Sequence, residues 1–426
     1  MIELILIFSQ IIFLFFIFSF SIVQLFVKKK INYFDKISIN VIFILNILLI
    51  SSILNINDKL IFLLLIILSF LAFLKELKFK KNIIKDFNIL LILFIFLTFI
   101  FSINLAGNLY FGWDAKFFYF LKTLNFYENQ NIANLKKIPA FDYPHLGSYI
   151  WSFFWKYPFN LNEYFGRIFY VFIYLLSIFC LFNSLKIENF HKSILIILAI
   201  LLSWSYEIFS GLQEIIVFSL IILTSKFSYE ILLNNQNKRK IWNIIILLGI
   251  TNLNFWIKNE GIFFSLFLIV LLMLLDKFTI KERLLIILGI TFITCVRLLL
   301  FYQYNTELDS FHLNKTLFNL ELETILEKSK IVLFYIPVYL TQVPIYFVSI
   351  PFLFLLILKN GVNKINLYML LFFFFNFIFI FFSFLFTLEN VEFQSRVGMQ
   401  RILFETSGFY FLIIIHLLNK NNKKYD

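Results

Sequence analysis

Residues Ile11–Val23 read IIFLFFIFSFSIV: thirteen positions with two serines and no charge. The run is apolar on every side, so neither a surface helix nor a half-buried strand accounts for it. Similar runs, separated by short polar breaks, fill nearly all of the 426 residues. Hydrophobic residues make up 61% of the chain and charged ones 15%, well under the ~25% charged content of soluble domains. In lipid every backbone polar group needs an internal partner, which leaves helices or a closed barrel. A barrel requires segments of ~10 alternating residues, and these runs do not alternate. The reading is an all-α, polytopic membrane protein forming a single multi-span domain over residues 1–426.

A hydrocarbon core of ~30 Å takes about 20 residues of helix. Hydropathy then predicts about thirteen spans, near residues 3–27, 37–54, 60–74, 87–106, 165–183, 193–209, 214–232, 241–256, 261–275, 284–303, 331–357, 366–387 and 402–418. Pro337, Pro344 and Pro351 predict a kink or break in the eleventh. One set of alternate loops carries about 23 Lys and Arg and the other about 13, spread over more residues. By the positive-inside rule the dense set is cytoplasmic, with the N-terminus outside and the C-terminus inside. This distribution accounts for the net charge of +12, so nucleic acid is not expected as a partner. The basic cluster Lys28–Lys30 follows the first apolar run, which predicts an uncleaved first span rather than a signal peptide. The 63 Phe are read as compositional bias, filling core and lipid-facing positions. Cys180 and Cys295 fall inside apolar runs, so free buried thiols are expected, with neither disulfide nor metal-ligand spacing.

Two outer loops are long, residues 107–164 and 304–330. The second is acidic and reads as a solvated face with an amphipathic helix from about Leu317. The first begins with Trp113-Asp114-Ala115, in an aromatic setting near the lipid–water boundary. A partly dried carboxylate there suits a general base; a helix N-terminal acid explains the same residue more plainly. Further on come Asp142, Tyr143 and His145, as polar contacts or as a turn capped by Asp142. Other outer-side charges are Lys122, Glu214, Lys258, Arg396 and Arg401. Singly, each is more often a snorkelling or capping residue than a site; their shared side makes them a set. Arg297 lies within a span, about six residues or ~9 Å of helix from its outer end, and an intramembrane Arg is a functional candidate. Cations at this surface suit a lipid phosphate, and a carboxylate suits an acceptor hydroxyl.

In sequence order, five segments resemble motifs of the bacterial GT-C superfamily of membrane glycosyltransferases, of the protein-mannosyltransferase and aminoarabinose-transferase kind. WDAKFFYFLKTLNFY (113–127) resembles their first-loop motif, and DYPHLGSYIWSFFW (142–155) their Y-P-L or H-P-P-L element. GLQEIIVF (211–218) is similar to their acid-bearing outer turn, WIKNEGIFF (256–264) to a K-N-E-G turn, and SRVGMQRILFETSGFY (395–410) to the closing segment. Departures are Thr123 for an alanine, Gln213-Glu214 where Asp is usual, and no proline after the closing Arg. The resemblance implies a multi-pass protein of the bacterial inner membrane and cell envelope, acting at the periplasmic face. It implies transfer of a sugar from a polyprenyl-phosphate donor to a glycan, lipid or protein acceptor, with inversion. Asp114 is then the base; Lys258, Arg401 and Arg396 are the donor-phosphate ligands; Asp142, Tyr143, Lys122 and Glu214 line the sugar or acceptor pocket. Some members use a divalent metal ion; no metal-ligating cluster stands out in this sequence. The competing expectations are a transporter or flippase for lipid-linked glycans, which calls for broken helices and mid-membrane charges, and a polysaccharide polymerase or ligase.

Overall fold

The computed structural model describes residues 1–26, 31–79, 89–141, 143–233, 237–276, 278–304, 322–387 and 390–422. Among these there is no β-strand. Five helices come first: α1 (Ile2–Ser19), the short α2 (Ile22–Phe26), α3 (Tyr33–Leu54), α4 (Asp58–Phe79) and α5 (Ile89–Gly107). The first long loop folds into a π-helical turn (Ala115–Tyr119), α6 (Phe120–Tyr127), a 3-10 turn (Ile132–Lys137) and α7 (Leu146–Lys156). Then follow α8 (Tyr164–Phe182), α9 (Asn189–Leu202), α10 (Glu214–Leu233), α11 (Asn237–Ile257), α12 (Asn259–Leu275) and α13 (Ile280–Tyr304). The last four are α14 (Leu322–Leu340), α15 (Ile345–Asn360), α16 (Lys364–Leu385) and α17 (Val391–Asn422).

Ten of the described helices are long and apolar enough to cross a membrane, and an eleventh crossing arises if α14 and α15 count as one broken span. The chain is thus a polytopic helical membrane protein. The expected span count of about thirteen is reached only by adding α9 and α12, of 14 and 17 residues. At 1.5 Å per residue these fall short of a ~30 Å core. The α14–α15 pair bends by 97°. Pro344 stands at the break, where it has no N–H to continue the α14 ladder. Of the second long loop, Tyr304, which ends α13, and residues 322–330, which open α14, are described. The helix expected from Leu317 begins outside the described residues.

The core lies where α8, α10 and α17 pack together. Every residue of α8 is buried, whereas α4 and α13 turn most of their length outward. Outward apolar faces suit lipid, which supplies no hydrogen bonds but accepts any hydrocarbon. Cys295 is therefore exposed on α13, against the expectation of a buried thiol; Cys180, on α8, is buried. Ion pairs form two belts. At one end Lys226 meets Asp35 at 2.6 Å, and Lys240 meets Asp276 at 2.8 Å. The other belt lies at the end of the first long loop, called the outer end below.

α7 seats against α8 through one close approach. A Cβ built on Gly166 would stand 2.2 Å from the carbonyl oxygen of Trp151. Backbone cannot yield there as a side-chain tip does, so Gly166→Ala should push α7 away from α8. We expect a loss of about 1–3 kcal/mol, seen as a lower melting temperature in detergent. Gly107→Ala, which meets nothing within 4 Å, should stay within ~0.5 kcal/mol of the parent.

Candidate active site

Asp114 is placed by a docked loop. Gly112 donates its backbone N–H to the Ser210 carbonyl at 2.9 Å, and Ala115, Tyr119 and Leu212 form a small apolar cluster with Phe111. Leu212 lies so close to Gly112 that a Cβ there would meet it at 2.9 Å. Arg167 of α8 fastens the same two strips: it donates to the carbonyls of Tyr110 (3.2 Å) and Phe209 (2.7 Å). Its charge is met by Glu163. Immediately after Asp114 the helix opens into a π-helical turn, a distortion frequent at functional sites.

This docking sets Asp114 beside the start of α10 and the outer half of α17. Arg401 donates from Nη1 to Asp114 Oδ2 at 2.5 Å and from Nε to Glu214 Oε1 at 2.5 Å, with Nη2 on the same Glu214 oxygen. Glu214 Oε1 also takes Lys258 Nζ at 3.1 Å. Lys258 further contacts Glu405, and Glu260 at 3.6 Å. Four carboxylates thus share two cations. Glu214 and Glu405 are fully buried, while the Asp114 side chain keeps 22% of its surface. Asp114 and Glu260, whose side chain keeps 26%, are therefore the two part-exposed ends of a chain whose middle is enclosed. Burial alone would lower the pKa of Lys258, but Glu214, Glu260 and Glu405 outweigh it and hold the ammonium well above its usual value.

The structure joins Asp114, Glu214, Lys258 and Arg401, and leaves other expected site residues apart. Arg396 is exposed and pairs with Glu392 one turn away, with Tyr335 accepting from its Nε at 2.9 Å. Both arginines sit inside α17 rather than ahead of the last span. Lys122 is buried, and its ammonium donates to the carbonyls of Ala140 (2.6 Å) and Tyr143 (2.8 Å). These bonds close the loop on itself. Tyr143 lies face to face with Phe118 at 6.4 Å. Asp142 lies outside the described residues. His145 is buried and bonds Ser52 at 2.9 Å; burial first, then Lys122 and Arg297, push its pKa down to about 3. It is a neutral side chain near pH 7, carrying no charge to a ligand.

Three acids at the site are not among the residues expected from the sequence: Glu260, which the WIKNEGIFF segment carries, Glu405 and Glu207. Glu405 stands four residues after Arg401, on the same helix face, and a carboxylate in an apolar stretch was the available signal. Glu207 is buried in the 206–208 turn, where Ser205 donates to it. Burial raises its pKa to about 7, with Glu214 adding to the effect and Arg401 opposing it. Among the described residues no group of three His, Cys, Asp or Glu side chains is placed to hold a metal ion. Comparison with protein-family models, curated proteins and solved structures finds no match to this chain.

Two outcomes follow for stability. Lys258→Met leaves Glu214 and Glu405 without their shared cation and should cost about 3–5 kcal/mol. Lys258→Met/Glu405→Leu should regain part of that in thermal unfolding. For Glu207 the folded pKa is raised, so the folded state holds a proton that the unfolded state has lost. Its contribution therefore falls as pH rises from ~4.5 to ~7, by up to ~1.4 kcal/mol per unit. His145 acts in the opposite sense between ~6.5 and ~3, where the unfolded state takes up the proton first. Glu207→Gln should remove only the first of these, so its melting temperature should rise more steeply with pH over that window than that of the parent.

Proposed function

We propose that the protein is a GT-C-type glycosyltransferase, taking a sugar from a polyprenyl-phosphate donor at the outer membrane face. One observation carries this reading: a part-exposed carboxylate on the first long loop, Asp114, is held by Arg401, which also binds the fully buried Glu214 of a shared charge network. An acceptor hydroxyl attacks the anomeric carbon while the bond from that carbon to the donor phosphate oxygen breaks. Asp114 takes the hydroxyl proton, the phosphate leaves with the bonding electrons, and the configuration inverts. Arg401 orients Asp114 through Nη1, and a cation fixed beside the leaving phosphate stabilises charge as it develops. Lys258 spends its ammonium on three carboxylates. That favours positioning Glu214 over direct phosphate contact. Tyr143 and Lys122 shape the loop wall of the sugar or acceptor pocket.

The broken α14–α15 pair favours a second reading, a flippase for lipid-linked glycans, because broken helices accompany transport. Vesicles containing the purified protein and a labelled lipid-linked sugar separate the two: a transferase cleaves the sugar–phosphate bond, and a flippase moves the lipid intact. On the transferase reading, Asp114→Asn should still insert and fold, with the stability loss of its weakened Arg401 contact, yet the folded variant should lose about 10²–10⁴-fold in transfer rate. Full transfer by that variant would sink the assignment.

A further inference from the structure

In the ion-pair belts the buried Arg167, Lys226, Lys240 and Lys258 and the part-buried Arg401 each meet a carboxylate. Among the described residues the buried Arg297 meets none. It is 6% exposed on α13 and donates to the Phe255 carbonyl and, from Nη2, to Asn259 Oδ1 at 2.6 Å. Its guanidinium stacks near Trp256 (5.9 Å) and Phe301 (5.2 Å). A guanidinium has five N–H donors, so these two bonds leave donors over. A buried charge without a counter-charge is costly in a low-dielectric setting, and the neutral His145 beside it supplies none.

The space beside Arg297 is a narrow cleft of about 50 Å³, lined by Tyr143, Trp256, Leu300 and Phe301, with Lys136 exposed on its rim. On its membrane side α13 presents Leu298, Leu299 and Tyr302, all exposed. A ligand here can keep a hydrocarbon tail in lipid and put an anionic head on Arg297. The turn after α11 divides this cleft from the charge network, with Lys258 facing the network and Asn259 facing Arg297. The cations of the network are already shared among carboxylates, whereas Arg297 has no carboxylate partner among the described residues and attracts an anion.

We propose that this cleft binds the phosphate headgroup of an amphiphile, with Arg297 as the buried cation and Lys136 as the rim cation. The site stands independently of sugar transfer. Wild-type protein that binds the amphiphile without transferring sugar would sink the transferase reading and keep the site. Transfer with no Arg297-dependent binding would do the reverse.

The test measures binding to the purified full chain by native mass spectrometry or thermophoresis. The probes are a polyprenyl phosphate, phosphatidylglycerol, phosphatidylcholine and inorganic phosphate. The expected result is binding of an anionic probe that weakens by about tenfold or more in Arg297→Gln and is unchanged in Lys281→Gln, an exposed cation at the opposite end of α13. Preference for polyprenyl phosphate identifies a carrier lipid; equal binding of phosphatidylglycerol identifies a bulk headgroup; inorganic phosphate binding shows that the head alone suffices. A folded Arg297→Gln that binds every probe as the parent does overturns the proposal, as does phosphatidylcholine binding as tightly as the anionic lipids. Should Arg297→Gln fail to fold, Arg297→Lys and Lys136→Gln decide: weakening by about threefold or more in either supports the site, and unchanged affinity in both overturns it.

Discussion

A carboxylate taken out of water is tolerable only beside a cation, and at the outer end of this protein that cation is Arg401. Its guanidinium reaches Asp114 with one nitrogen and Glu214 with two others. Lys258 then continues the chain of charges to Glu405 and Glu260. The contacts join the first long loop, the head of α10, the turn after α11 and the body of α17. A planar fork suits this junction as an ammonium does not, because its donors point at two acids at once in fixed directions. The apolar packing of α8, α10 and α17 brings the helices together, and the network fixes the register in which their polar residues meet.

The turn at residues 256–260 divides two electrostatic environments. One side gathers more negative than positive groups and ends at the partly open Asp114. The other holds Arg297 among aromatic rings, the Phe255 carbonyl and the Asn259 side-chain oxygen, facing a narrow cleft. A transferase using a lipid-borne phosphate needs both kinds of surface: an acid that accepts a proton, and a cation that the acids have not already neutralised. Lys258 and Arg401 are largely occupied by carboxylates, whereas Arg297 has no such partner among the described residues.

Much of the fold was legible because lipid imposes simple rules. Uninterrupted apolar runs such as Ile11–Val23 could only be helices, and α1 contains most of that run. The prolines announced the bend between α14 and α15. Lengths were less legible: α9 and α12 have the hydropathy of spans but not the reach. Of the candidate site, Asp114, Glu214, Lys258 and Arg401 could be picked out because polar residues near apolar runs are few. What the sequence does not encode locally is helix phase relative to a neighbour. Arg396 and Arg401 differ by five residues, or ~140° around the helix, so one faces Tyr335 and the other faces Glu214. Lys122 was legible as a charge, but its carbonyl partners depend on how the loop closes. The same holds for Cys295, whose exposure depends on which side of α13 meets lipid.

The central claim is that Asp114 and Arg401, 287 residues apart in sequence, act as one unit. A double-mutant cycle tests this directly: thermal unfolding of the parent, Asp114→Asn, Arg401→Gln and the double variant in one detergent. The account predicts a coupling energy of about 0.5–3 kcal/mol, with the double variant losing less than the two singles together. Additive losses, with no coupling beyond ~0.3 kcal/mol, would show that the two side chains do not meet and would contradict it.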